Sequence, residues 1–379
     1  MRAEQFAERI RAMGITTLTG VPDSTLKPFC DYINREGKTI FNHYVPANEG
    51  AAVGMAIGSY LATGKAACVY MQNSGIGNAV NPITSLANGK VYGIPMLMVI
   101  GWRGEPGSKD EPQHKFMGGI TGQILDVLEI PYAIIGKETA QDELDAMFVK
   151  ARDRISANCQ FAFVVKRDFF DQVDLGEYRN GYSLVREDAV KEIISMVGAE
   201  DVLVSTTGKI SREVYEQSDA IKGQHAQDFL TVGGMGHASM IALGIAKEMP
   251  HKKVYCLDGD GAVFMHMGSL AFIARQNPGN LIHICLNNEA HESVGGMPTG
   301  SAGLEYAEVA KACGYPQYHT VWDLQGLREV LERVRQENVL SFIEVKAAIR
   351  SRSDLGRPKE EAVENKNHFM KYHGIYEMS

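Results

Sequence analysis

The chain has 379 residues, 45 % of them hydrophobic and 22 % charged, with a formal net charge of -8 at pH 7. That length suggests two or three domains whose cores need no disulfide or metal staple, and the acidic balance argues against nucleic acid, which demands a basic face. No apolar run approaches the roughly 18 residues of a membrane span, so no membrane partner is expected.

The first stretch, "MRAEQFAERIRAMG", reads as an amphipathic helix with Phe6, Ile10 and Met13 on one face. It lacks the apolar centre of a signal peptide. Strands are predicted near 16–21, 39–45, 66–72, 95–102, 132–136 and 161–166, with helical patterns between most of them and stops such as Gly37, Gly64 and Gly89. Asp23 and Ser24, after Pro22, are good N-cap residues for a helix running to about Arg35. The stretch "RDFFDQVDLGEYRNGYS" (167–183) has no strong period and reads as a linker. The alternation then restarts, with strands near 201–207, 228–232, 253–258, 281–287, 319–323 and 341–346. The charged tail beyond Arg350 is expected to fray or to pack on a partner.

Strands separated by helices mean βαβ units and buried parallel sheets. The fold class is therefore α/β, with two doubly wound parallel-sheet domains at 1–170 and 186–379 joined by a linker at 171–185. The six cysteines (Cys30, Cys68, Cys159, Cys256, Cys285 and Cys313) form no C-x-x-C pair, and several sit in apolar strand-like runs. That is reducing-compartment usage and makes the cytoplasm the expected location.

In open α/β sheets, ligands bind beyond the carboxyl ends of the strands. The loop that draws attention is "VYCLDGDGAVFMHMG", where Asp260 stands between Gly259 and Gly261 at a strand-to-helix turn. It could be a plain turn, part of a nucleotide fingerprint, or one ligand of a metal site. A dinucleotide fingerprint fits poorly, because its third glycine would fall on Phe264. The next strand ends in Asn287 and Asn288, after the 25 residues 262–286. In a parallel sheet this brings both strand ends to one edge, where a carboxylate, an amide oxygen and a loop carbonyl can converge. Such hard oxygen ligands suit Mg²⁺, which commonly bridges phosphates.

G-D-G followed about 25 residues later by N-N resembles the signature of thiamin diphosphate enzymes. The resemblance implies thiamin diphosphate and Mg²⁺ as cofactors, with the metal held by the side chains of Asp260 and Asn288 and the carbonyl of Ala290. It places the diphosphate against Gly259, Gly261 and Ala262, at a helix N-terminus. "VGGMGHAS" is similar to the turn that holds the aminopyrimidine. Gly233 would accept from the cofactor's 4'-amino group beside Gly234, and Met235 would be the wedge that bends the cofactor. A glycine-rich helix start with a core methionine is the alternative. "STTGK" is similar to the loop that meets the diphosphate, through Thr207 and Gly208, and is equally readable as a generic capped turn. Glu49, in "PANEG", matches the glutamate that holds N1' of the aminopyrimidine and so helps remove the proton from thiazolium C2. Burial should raise its pKa. Alternatively, Glu49 is a first-turn acid complementing the helix dipole. The family's cofactor lies between such domains of two subunits, which implies a homodimer or a higher homo-oligomer with intersubunit active sites.

The linker is too short for the third domain that many thiamin decarboxylases carry. The chain resembles the compact phosphonopyruvate and sulfopyruvate decarboxylase families, the former favoured by "TGVPDSTLKPFCDYI", "GWRGEPGSKDEPQH" and "NNEAHESVGGMPT". This implies non-oxidative decarboxylation of a small 2-oxo acid, 3-phosphonopyruvate, to phosphonoacetaldehyde and CO₂ in phosphonate biosynthesis. A phosphonate needs cations or amides around it, and Lys27, Arg103, Lys109 and His114 are the candidates, with Asp23 and Ser24 in the same signature loop. Asp110 and Glu111, beside Lys109, would repel a dianion unless they face away or neutralise the lysine. His114 and His291 are candidates for proton transfer. The alternatives are sulfopyruvate decarboxylation, acetolactate-type carboligation, a catalytically silent cofactor-binding subunit and, least favoured, a nicotinamide dehydrogenase.

Overall fold

The computed structural model describes residues 1–375 and divides into two units, Met1–Glu177 and Tyr178–Ser379. The first runs α1 (Ala3–Ala12), β1 (Thr17–Gly20), α2 (Lys27–Arg35), β2 (Asn42–Tyr44), α3 (Glu49–Thr63), β3 (Ala67–Gln72), α4 (Ile76–Pro82), β4 (Met96–Gly101), α5 (Pro112–Val127), β5 (Tyr132–Ile135), α6 (Gln141–Ser156) and β6 (Gln160–Val165). Its six strands are all parallel, in the order β2-β1-β3-β4-β6-β5. The central strands β3, β4 and β6 are apolar almost without interruption because helices cover both faces of the sheet.

Two expectations for this unit change. Asp23 and Ser24 do not cap α2, whose N-cap is Leu26. Asp23 instead accepts the Thr25 N–H at 2.8 Å and closes a local turn, since its side chain is drawn inward rather than along a helix axis. The start of the supposed linker also belongs to the core. Phe169 and Phe170 pack edge-on against Phe6 at 5.8 and 5.4 Å between ring centroids, and the Met1 ammonium donates to the Phe169 carbonyl. Their apolar area is worth burying although the segment has no secondary structure to give it a period.

The second unit runs α7 (Arg186–Met196), β7 (Val202–Ser205), α8 (Lys209–Lys222), β8 (Asp228–Leu230), α9 (Ala238–Glu248), β9 (Val254–Gly259), α10 (Asp260–Met265), α11 (Gly268–Gln276), β10 (Leu281–Asn287), β11 (Ala290–His291), β12 (Met297–Pro298), α12 (Tyr306–Cys313), β13 (Gln317–Val321), α13 (Leu324–Val334), β14 (Ser341–Lys346) and α14 (Ala362–Tyr372). The main sheet is parallel, in the order β13-β14-β10-β9-β7-β8. The strand order reverses between β7 and β9, so the loops after these two strands flank the topological switch point, where doubly wound folds bind ligands.

The small antiparallel pair β11–β12 has no counterpart among the predicted strands, because two residues per strand leave no readable period. The tail beyond Arg350 also departs from expectation by forming α14. Asn365 on that helix accepts the Leu230 N–H at 3.0 Å and donates to the Asp228 carbonyl at 3.1 Å. It thereby covers an edge strand whose backbone would otherwise be open.

Candidate active site

In the second unit, register aligns the motif residues. Leu286 of β10 pairs with Gly259 of β9, so Asn288 stands level with Gly261 beyond the strand ends. Asp260 is the first residue of α10 and is 3 % exposed. Thr299 donates to its Oδ2 at 3.2 Å, and the N–H groups of Gly261 and Asn288 also reach the carboxylate. Its backbone is pinned as well: Tyr306 donates to the Asp260 carbonyl at 2.8 Å, and Ser301 meets the Tyr306 hydroxyl at 2.6 Å. Burial pushes the Asp260 carboxyl up to about 7, against the opposing pull of those hydrogen bonds.

Asn288 donates to Glu292 Oε2 at 2.7 Å and accepts the Ala290 N–H at 3.1 Å. Asn287 is turned the other way and donates to the buried Glu344 at 2.7 Å. Ala290 lies opposite Pro298, which has no N–H to offer its carbonyl. Around Gly261 the space is filled by others: a methyl group there would lie 3.2 Å from Met235 Cε and 3.5 Å from His291 Cε1. The "GGMG" turn thus meets the G-D-G turn through Met235, while Gly234 and Gly236 take positive φ of 65° and 87°. Burial lowers His291 to about 4, so its imidazole is neutral near pH 7. Gly208, with φ 95° and ψ -140°, precedes α8 in a conformation that glycine alone adopts readily. Thr207 donates to the carbonyl of Val232, at the head of the glycine-rich turn, at 2.9 Å.

In the first unit, Glu49 opens α3 behind its N-cap Asn48, whose side chain accepts the Ala51 N–H at 2.9 Å. Glu49 is 5 % exposed, and Asn78 of α4 donates to its Oε2 at 2.7 Å. Gly75 lets the backbone close on the carboxylate, since a methyl group there would sit 2.4 Å from Glu49 Oε1. A capping role is filled by Asn48, which leaves the Glu49 carboxylate to face Asn78 and Gly75.

The cation candidates separate by partner. Arg103 forks onto Asp110, with Nε to Oδ2 at 2.8 Å and Nη2 to Oδ1 at 2.5 Å, and its Nη1 donates to Ser24 at 2.9 Å. Burial works to raise the Asp110 carboxyl, but the hydrogen bonds from Arg103 and from the Glu111 and Gly104 N–H groups outweigh it and hold it well below the usual range. Asn73 accepts the Arg103 N–H at 3.2 Å and donates to its carbonyl at 2.9 Å, fixing the root of the loop. Lys27 pairs with Asp31 at 2.5 Å. Lys109 is exposed, and His114 lies half-buried in the first turn of α5. Asp23 is 1 % exposed, and burial raises its carboxyl although Arg103 pulls the other way. Asn78, Gly75 and Asn73 were not singled out from sequence, although the loop "QNSGIGN" carries them and its Asn/Gly content was the available signal.

Residues 2–130 match the thiamine pyrophosphate enzyme N-terminal TPP binding domain, and residues 206–345 match its C-terminal TPP binding domain. The chain belongs to the thiamine pyrophosphate enzyme family. It is 34 % identical over 374 residues to a phosphonopyruvate decarboxylase of Streptomyces viridochromogenes, covering 94 % of this chain and 91 % of that one. It is 33 % identical over 387 residues to a phosphonopyruvate decarboxylase of Streptomyces hygroscopicus, covering 98 % and 93 %. A sulfopyruvate decarboxylase of Methanosarcina acetivorans is 27 % identical over 365 residues, covering 90 % of each chain. The chain is therefore a thiamin diphosphate-dependent decarboxylase, a carboxy-lyase, and the two domains are those that bind that cofactor.

The residues present fit a divalent cation. Asp260 is a buried carboxylate with no cation partner among the described residues, and Asn288 and Ala290 bring neutral oxygens to the same edge. Among the described residues, no helix is long and apolar enough to cross a membrane.

Proposed function

We propose that the enzyme decarboxylates 3-phosphonopyruvate to phosphonoacetaldehyde and CO₂, with thiamin diphosphate and Mg²⁺ as its cofactors. The observation that carries the metal is Asp260, buried at the switch-point edge beside Asn288 with no cationic side chain paired to it among the described residues. Asp260, Asn288 and the Ala290 carbonyl would hold Mg²⁺, and the amides after Gly259 would meet the diphosphate. Glu49, oriented by Asn78, would hold the aminopyrimidine nitrogen. When bound, thiamin diphosphate would supply the nucleophilic carbon and the electron sink that decarboxylation of a 2-oxo acid requires.

For the substrate, the loop 103–110 offers the supporting argument. Its acid Asp110 is consumed by Arg103, so Lys109 is left as an exposed cation with no acidic side chain neutralising it among the hydrogen bonds described. The Arg103 fork neutralises Asp110, one of the two carboxylates expected to repel a dianion. We assign Lys109 and His114 to the phosphonate, with Arg103, Ser24 and Asp23 shaping the loop, and Lys27 in a lesser role because Asp31 already pairs with it. His291, neutral near pH 7 and against the Gly261 turn, remains the candidate for proton transfer on the cofactor side, and His114 the candidate on the substrate side.

A homo-oligomer completing the site between copies is part of the same reading. The first unit presents α3, an apolar helix whose outer face exposes Met55 and Leu61, with Leu86, Val91 and Tyr92 also exposed. Six free cysteines, four of them buried, accord with a reducing compartment, and we place the enzyme in the cytoplasm, in phosphonate biosynthesis. The deciding experiment follows CO₂ and aldehyde from phosphonopyruvate and sulfopyruvate side by side, with thiamin diphosphate and Mg²⁺. Phosphonopyruvate is expected to turn over faster by at least tenfold in kcat/KM. A preference for sulfopyruvate overturns the substrate assignment, and carbon–carbon bond formation without aldehyde release overturns the reaction.

A further inference from the structure

Behind the Asn288 loop lies a buried charge network that the reaction does not use directly. Arg186, at the start of α7, forks onto Glu213 of α8, with Nε to Oε2 at 2.9 Å and Nη2 to Oε1 at 2.6 Å. Its third arm reaches Glu292 Oε2. Lys209, the first residue of α8, lies 3.5 Å from Glu292 Oε1. The side chains of Arg186, Glu213 and Glu292 are 4 %, 1 % and 8 % exposed. Two cationic and two acidic side chains thus pair off within the network.

Glu292 also takes the amide of Asn288. The orientation of that carboxamide is forced, because one neighbour can only accept and the other can only donate: its nitrogen must face the Glu292 carboxylate, and its oxygen must face the Ala290 N–H. Reversal would set two donors against each other and an oxygen against a carboxylate. The same carboxylate therefore ties the loop carrying Asn288 to α7 and to Lys209 at the start of α8.

We infer that Glu292 is a positioning residue for the metal, holding the Asn288 carboxamide so that its oxygen is the atom presented, and that Arg186 holds Glu292 for this purpose. The inference rests on the reading of Asp260 and Asn288 as metal ligands. Residues orienting a ligand in this way are worth roughly 10- to 100-fold in metal affinity.

The test is Mn²⁺ binding to the full chain with thiamin diphosphate, followed by the electron paramagnetic resonance signal of free Mn²⁺, so that no turnover is needed. Glu292→Gln removes the charge that holds Arg186, Lys209 and the Asn288 amide, and turns an NH₂ group onto one of these donors, so it should weaken Mn²⁺ about tenfold or more. Leu331→Ala, in the core under α13, is the control: it should lower the melting temperature at least as much and leave Mn²⁺ affinity within twofold. Should Glu292→Gln not fold, Glu292→Asp keeps the charge for Arg186 but draws it back by one methylene, and should weaken Mn²⁺ several-fold. Unchanged Mn²⁺ affinity in the Glu292 variant, or an equal loss in Leu331→Ala, overturns the positioning role. A parent protein that binds no Mn²⁺ overturns the metal site itself, which is a separate and recognisable result.

Discussion

Gly75→Ala isolates the placement of Glu49 from its chemistry. Gly75 has φ -68° and ψ -17°, ordinary helical values, so alanine meets no backbone strain there. The effect must come from the new methyl group, which would stand 2.4 Å from Glu49 Oε1 and 2.6 Å from Cδ. An ordinary carbon–oxygen contact is well beyond 3 Å, so the carboxylate must retreat by roughly 1 Å. A shift of that size in a positioned catalytic group costs about 100-fold in rate, and overpacking adds about 1–3 kcal/mol of instability. The retreat also strains the 2.7 Å bond from Asn78. The assay measures kcat for CO₂ release, with thiamin diphosphate and Mg²⁺ affinity measured in parallel. We expect kcat to fall about 100-fold with the metal affinity nearly unchanged, because Asp260 and Asn288 are untouched. A kcat within threefold of the parent, in a protein that folds, refutes the assignment of Glu49 as the positioned carboxylate.

Asp260→Asn should remove metal-dependent retention of thiamin diphosphate, read by gel filtration in Mg²⁺ followed by cofactor assay; retention at the parental level contradicts the metal site. Lys109→Met should raise KM for phosphonopyruvate about tenfold while Lys27→Met changes it less than threefold, since Asp31 holds Lys27; the reverse ranking contradicts the loop assignment. Asp228 is fully buried, accepts from Ser218, and is pushed up to about 7 by burial. Because the folded pKa lies above the unfolded value, the folded state holds the extra proton between pH 4 and pH 7, and stability falls as pH rises through that window. Asp228→Asn should therefore gain on the parent by about 3 kcal/mol between pH 5 and pH 8 in urea unfolding, and a constant difference across that range would show that Asp228 stays ionised.

Much of this was written in local chemistry. Strands such as β3, β4, β9 and β10 were legible because central strands of a covered parallel sheet are apolar almost throughout, and the G-D-G and N-N turns were legible because few residue types suit a strand-to-helix turn. Other features had no local trace. Phe169 and Phe170 look like part of a polar linker until Phe6 stands against them, and α14 looks like a loose tail until Asn365 meets the edge of β8.

The same division runs through the site. By itself the sequence determined which residues could ligand a metal or hold a phosphate, since oxygen donors, glycine turns and strand ends are properties of single segments. Only the tertiary structure decided which charges are available. Arg103 is engaged by Asp110 and Lys27 by Asp31, whereas Lys109 remains exposed, and a buried network from Glu213 through Arg186 to Glu292 sets the face of Asn288. A charge is available or engaged according to its neighbours in space, and those neighbours come from segments up to about a hundred residues apart (Arg186 and Glu292 are separated by 106).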